Sequence, residues 1–381
     1  MKPMKKSILW LIAASVSLIA ILVIANKWAI TFKANDIDHK NDESISVIHN
    51  PNEMEAYFKT WSGSDQNKPK MAINIPTGFF IQSIAFQSPN EVNLTGIIWQ
   101  KLPLDVNDSI MAGFDFPEQV NSGSTVIEEL YSYEQAGSKL KGWYFDTTVR
   151  QVFDYTNYPF DYVTAWLRLW PKNFNYDDDI LFIPDFDAYD PSDQIFGLDT
   201  DIVFGEWNIE ETFFSYHENK YNTNFGYTGE STADSYHEFY INLGLKRDII
   251  DAIILNLIPL FVVALLLFVL MMTVTNNKDL SNKFGFTTSG AIATCSALFF
   301  IVLLAHIQVR QQFLDSPIVY IEYFYLIMYI FIVLCALNFY ALSMGNENGS
   351  NLILYRDNLI SKVAFWPLLI WMIALATICF L

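Results

Sequence analysis

Cysteine and histidine are scarce in this chain, and so is positive charge. Its 381 residues include 3 Cys and 5 His. Cys295, Cys335 and Cys379 all fall inside apolar runs, which excludes a disulfide-built exterior and a cysteine zinc site. Lys and Arg number 23 against 41 Asp and Glu, for a formal net charge of −18. That balance argues against nucleic acid and against an anionic membrane surface as partners. Catalytic signatures are missing as well. His217-Glu218 and His237-Glu238 lack the second histidine that a metalloprotease helix needs, and there is neither a Gly-rich phosphate loop nor a G-x-S-x-G elbow. No enzymatic activity is expected, and the chain carries no internal repeat.

What the chain does have is apolar sequence, 52% of it hydrophobic and 16% aromatic, unevenly spread. Lys2, Lys5 and Lys6 precede an apolar run from Ile8 to Ala25. A signal peptide ending near Val23-Ile24-Ala25 is one reading, but the run is long enough to span, so an uncleaved anchor over residues 1–32 is preferred. Both readings leave the lysines in the cytoplasm and export the polar region beyond the run. Residues 33–247 are polar, acidic and rich in strand signals. Ile73 to Phe86 and Val92 to Leu102 flank Ser88-Pro89-Asn90-Glu91, a hairpin signature, and Val126 to Tyr133 and Lys141 to Phe153 continue the pattern. Short strands at regular spacing imply an all-β sandwich. Past Arg247 the chain changes solvent. Ile249–Val274, Phe284–His306, Ile318–Leu342 and Val363–Leu381 read as four spans, so residues 248–381 form a helical transmembrane bundle. With the N-terminus inside, Lys278 and Lys283 in one loop and Arg356 and Lys362 in another are cytoplasmic, as the positive-inside rule asks.

Two stretches invite a functional reading. Between Asn173 and Asn219 there is no Lys or Arg, while the interval holds Asp177, Asp178, Asp179, Asp185, Asp187, Asp190, Asp193, Asp199 and Asp201 and four Glu. Carboxylates suit Ca²⁺, but no EF-hand spacing is present. A solvated acidic loop is the preferred reading of residues 177–201, with a Ca²⁺ site or a negative field at an ion entrance as alternatives. In the second of the four spans, Thr287, Gly290, Ala291, Thr294, Leu298, Ile301 and Ala305 recur at helical spacing. A pore with a polar cytoplasmic end and an apolar gate, or simple helix packing through small residues, accounts equally well for that stripe.

A turn organises the whole. Tyr158-Pro159-Phe160-Asp161 sits between strand-like segments, and Pro159 forces the chain to leave any sheet there. With this tetrapeptide, Glu206-Trp207-Asn208-Ile209-Glu210, Lys246-Arg247 just before the first span, and Asn256 and Pro259 inside it, the layout from about Ile73 onward resembles pentameric ligand-gated ion channels, in their prokaryotic branch without the loop disulfide.

The resemblance implies a homopentamer in a bacterial inner membrane with the sandwich in the periplasm. It implies a small-molecule or ion ligand, conducted inorganic ions, lipid contact and no cofactor. The pore would be lined by Thr287, Ala291, Thr294, Leu298, Ile301 and Ala305. The ligand would lie between sandwiches, with Trp99 and Tyr131 or Tyr133 on one subunit and Asp187, Tyr189, Tyr221, Phe225 and Tyr227 on the other; aromatic rings suit a cation. Tyr158, Pro159, Phe160, Asp161 and Arg247 would couple sandwich to pore, with Asp161 and Arg247 as an ion pair. Departures are the long linker Asn276–Lys283, the missing Glu at the cytoplasmic mouth of the pore, which leaves charge selectivity open, and the extra N-terminal span. A non-conducting membrane sensor of the same fold is the alternative, disfavoured by the short loop from Met344 to Ser361.

Overall fold

The structure is a computed structural model, and it describes residues 6–34, 45–64, 73–104, 112–121, 123–135, 137–172, 180–190, 193–223, 235–275, 287–314, 316–348 and 355–381. The chain divides into two compact units. One comprises residues 37–153 and 162–247; the other takes residues 1–36, 154–161 and 248–381. The segment around Pro159 thus belongs with the helices, although it lies between two strands in sequence.

The first unit is built from β1 (Ile45–Ile48), α2 (Pro51–Ser64), β2 (Ile73–Ser88), β3 (Glu91–Pro103), β4 (Phe114–Asp115), β5 (Val126–Gln135), β6 (Ser138–Arg150), β7 (Tyr162–Pro171), β8 (Ile180–Pro184), β9 (Trp207–Lys220) and β10 (Ser235–Arg247). They form two five-stranded sheets, ordered β1-β9-β10-β7-β4 and β5-β6-β3-β2-β8. β3 shows why: buried and less buried residues alternate along its whole length, so Val92, Leu94, Ile98 and Leu102 enter the core while Asn93, Thr95 and Trp99 face away. The expected hairpin is present, with Ser88 opposite Glu91 across Pro89-Asn90. The β5–β6 hairpin turns at Gly137, whose φ of 79° favours a residue without Cβ. Aromatic rings join the sheets: Phe79 meets Phe214 at 5.3 Å, Phe86 meets Trp207 at 5.1 Å, and the Tyr216 hydroxyl donates to the Phe182 carbonyl at 2.8 Å.

The all-β expectation needs two amendments. β8 runs parallel to β2, and the unit contains a helix, α2. The sequence from Asp36 to Asn67 reads as a loose lead-in, yet part of it is this helix. Tyr57 secures it by stacking on Tyr216 at 4.8 Å with 1° between the ring planes, and its hydroxyl meets His237 Nδ1 at 2.5 Å.

The second unit holds α1 (Lys6–Ala34), α3 (Ile249–Thr273), α4 (Thr288–Gln312), α5 (Glu322–Asn348) and α6 (Leu359–Phe380). Among the described residues, these five helices are long and apolar enough to cross a membrane, which makes this a membrane protein. α1 packs along α6, α4 along α5, and α3 touches α4, α5 and α6. Asp248 caps α3 by accepting from the Ile250 N–H at 2.9 Å, and Thr287 caps α4 by accepting from Gly290 N–H at 3.1 Å.

Candidate functional site

The Pro159 loop is bound into the helix unit by a specific set of groups. The Tyr158–Pro159 peptide is cis, and Tyr158, Phe160 and Asp161 are buried. The Thr156 carbonyl accepts from the Tyr320 N–H at 2.8 Å, at the entry to α5. Asn256 of α3 donates from Nδ2 to the Tyr158 hydroxyl at 3.2 Å and to the Ala252 carbonyl at 2.8 Å, while its Oδ1 accepts from the Tyr325 hydroxyl at 3.3 Å. A buried amide in an apolar helix is costly unless paired, and here its donor and acceptor atoms are both used. Phe313, just past α4, packs its ring 4.7 Å from Tyr158 and 5.2 Å from Tyr155. The loop therefore touches α3, the end of α4 and the start of α5 together. Of the expected Asp161–Arg247 pair, Asp161 is buried in this unit. Arg247 is buried in the sandwich unit, where its guanidinium pairs with Glu206 at 2.6 Å and lies 4.0 Å from the Trp207 ring centre.

The same network continues into α4 and α5 through residues that sequence reading passed over. Glu322, buried at the head of α5, accepts from Arg310 at 3.2 Å and from the Val319 N–H at 3.0 Å, and it meets His306 Nε2 at 3.1 Å. His306 stacks on Tyr325 and its other nitrogen lies 3.0 Å from the Tyr329 hydroxyl. An ionisable residue inside an otherwise apolar span is a functional signal in its own right, and Glu322 carried that signal in the sequence.

The residues of the expected pore stripe on α4 differ in burial within the chain. Ala291 and Leu298 are buried within the chain, together with Cys295, Val302 and Val309, so this side of α4 faces its own bundle. Thr287 is the N-cap, Thr294 and Ile301 are exposed, and Ala305 is half-buried. Ala291 and Leu298 stand at helical spacing from Thr294, on the same side of α4, but they are covered within the chain whereas Thr294 is exposed. The hydroxyl argument weakens too, because Thr294 and Ser296 donate to the carbonyls of Gly290 and Ile292 and so satisfy themselves within the helix. The face opposite the buried one carries Ser289, Ala293, Ala297, Phe300, Leu304, Ile307 and Gln311, all exposed. It runs from small residues to large apolar ones toward the C-terminal end.

In the sandwich, the expected ligand residues fall on two faces. Gly78, Trp99, Gly142 and Tyr131 stand side by side across β2, β3, β6 and β5. Each ring lies over a glycine: a Cβ at Gly78 would run into Trp99, and one at Gly142 into Tyr131. Tyr133 comes next on the same face, its ring 5.7 Å from that of Tyr131. Trp99 donates to buried Asp185 at 2.9 Å, Lys101 pairs with the same carboxylate at 2.7 Å, and Tyr189 packs 5.8 Å from Trp99. Tyr189 also accepts from the Phe79 N–H and donates to the Phe79 carbonyl, so it is built into the fold. The loop of Asp187 and Tyr189 thus lies beside Trp99 within the chain; Asp187 is exposed.

The opposite sheet carries the second cluster. Glu238 of β10 accepts from Arg168 at 2.8 Å, Trp170 at 2.7 Å, Tyr221 at 2.5 Å and Asn219. Arg168 also pairs with Glu118 and lies over the Trp170 and Tyr240 rings at 5.4 and 6.0 Å. Burial raises the Glu118 carboxyl above its ordinary value in spite of that guanidinium. The cluster thus sets two carboxyl groups and one guanidinium among aromatic rings. Phe225 and Tyr227 lie outside the described residues. Asp199 caps the Asp201 N–H, and no group of three His, Cys, Asp or Glu among the described residues is placed to hold a metal. Compared with known proteins, the chain matches no family model and no curated protein.

Proposed function

We propose that this chain is one subunit of a ligand-gated ion channel in a bacterial inner membrane, built like the pentameric channels it resembles, with the sandwich in the periplasm. The observation that carries the reading is the uncovered face of α4, from Ser289 through Ala293 and Ala297 to Phe300, Leu304 and Ile307. In a ring of subunits this face lines the central axis, with small residues at the cytoplasmic end and an apolar constriction formed by Phe300 and Leu304 that closes by excluding water.

Two features support gating by a ligand. Trp99, Tyr131 and Tyr133 lie on one sheet, and Trp170 and Glu238 on the other with Tyr221 just past β9; the reading brings the two sets together between neighbouring subunits, through a heterologous contact that closes by rotation. The aromatic rings and surplus carboxylate of the second set select a cationic small molecule. The Pro159 loop, bonded to Asn256 and Tyr320, then passes the change to the ends of α3, α4 and α5. Native mass spectrometry of the detergent-solubilised chain tests the assembly that this reading requires. A pentamer is expected, and a stable monomer or dimer would refute it.

A further inference from the structure

The first span does more than tether the chain. Near the C-terminal end of α1, Trp28 meets the Tyr320–Thr377 pair, and Thr377 lies near the C-terminal end of α6. Near the N-terminal end of α1, Trp10 meets Phe268, which packs on Phe365 and Trp366 at the start of α6. The two helices run in the same direction, as they must if both cross outward. Ala13, Ser17 and Ala20, at spacings that share one helix face, are buried, and so are Ala374 and Thr377 of α6; small residues let the two backbones approach closely.

Trp28 is where this packing reaches the loop. Its indole N–H donates to the Tyr320 hydroxyl at 2.8 Å, and that hydroxyl shares a hydrogen bond with Thr377 at 2.8 Å. Its ring lies 5.6 Å from Phe160, and Phe160 lies 6.3 Å from Tyr320. The Tyr320 N–H in turn holds the Thr156 carbonyl. One side chain of α1 thus fixes both the Phe160 ring and the residue that anchors the loop to α5.

We infer that Trp28 is a positioning residue for the Pro159 loop, and that α1 is a working fifth helix of the membrane unit. The functional meaning rests on the coupling role proposed above, but the geometry can be tested without conduction. Hydrogen–deuterium exchange by mass spectrometry on the full chain in detergent reads peptides covering residues 154–161. Trp28→Ala removes ring and donor together and is expected to raise exchange in that loop roughly tenfold or more. Trp28→Phe keeps a ring against Phe160 and is expected to restore most of the protection, while Tyr320→Phe isolates the loss of the hydroxyl. Peptides of β3 and β6 should not change. If Trp28 serves only α1–α6 packing, exchange rises in residues 370–381 and not in the loop, and the proposal is overturned. It is overturned equally if intact mass shows that the unaltered protein lacks residues 1–34. A protein that fails to conduct yet shows the predicted loop exchange would refute the channel reading and leave the role of Trp28 standing.

Discussion

Glu238 receives hydrogen bonds from four side chains, so a substitution there disturbs several partners at once. Glu238→Gln removes one of the two carboxylates that pair with Arg168, leaving Glu118 and the Tyr221 hydroxyl. Breaking a buried ion pair costs about 3–5 kcal/mol, and the partial exposure of Arg168 puts this case near the lower end. A clear drop in the melting temperature of the detergent-solubilised chain is expected; an unchanged melting temperature would show that the cluster is not structural. His49 sets a pH dependence. Its hydrogen bond with Glu211, aided by the charges of Glu53 and Glu211, raises its pKa above 6.5 against the opposing effect of burial. A raised folded-state pKa means that the stabilisation is complete below the unfolded value and is lost as pH rises through the folded one. Amide exchange in residues 45–64, corrected for intrinsic rates, should therefore quicken as the pH rises above about 6.5. His49→Gln should remove that difference. At this scale the aromatic candidates were visible in composition, but not their work: that Trp99 covers Gly78 and Tyr131 covers Gly142 is a product of strand register, which a single sequence does not state.

At the scale of elements, helix period was legible and helix phase was not. The recurrence from Thr287 to Ala305 correctly marks a helix, yet which side of it meets water depends on how α3 and α5 cover it, and Thr294 and Ser296 hide their hydroxyls against their own backbone. The channel reading takes the face left uncovered by α3 and α5 as the lining one, and thiol labelling tests it. After replacement of Cys295, Cys335 and Cys379, cysteines at Ala293, Ala297, Phe300 or Leu304 should react with a water-soluble reagent. Cysteines at Ala291, Leu298 or Val302 should react far more slowly. Equal rates on both sets would remove α4 as the lining helix. The Pro159 loop was easier to read, because a turn-forming proline between two strand patterns must lie outside the sheet. Its partners Asn256, Tyr320 and Phe313 come from three distant segments, and only the folded chain brings them together. Tyr158→Phe deletes one of these bonds at a net cost of about 1 kcal/mol, so it should leave the amount of folded protein unchanged while raising loop exchange.

For the whole molecule, the alternation of one span, a strand-rich region and four spans was visible in the sequence, because apolar runs of that length are long enough to cross a bilayer. The helix α2 and the parallel β2–β8 pair were not, since both depend on contacts far apart in sequence. The central claim is that subunits surround a pore closed by the apolar face of α4, and it can be tested without knowing the ligand. Serine at both Phe300 and Leu304 should let water into the constriction, so liposomes carrying this variant should leak monovalent ions. Liposomes carrying the unaltered chain, or Leu337→Ser on the exposed side of α5, should stay tight. If the Phe300→Ser, Leu304→Ser liposomes remain as impermeable as the other two, α4 does not line a conducting pore, and the chain is better regarded as a membrane sensor that passes its signal to another protein.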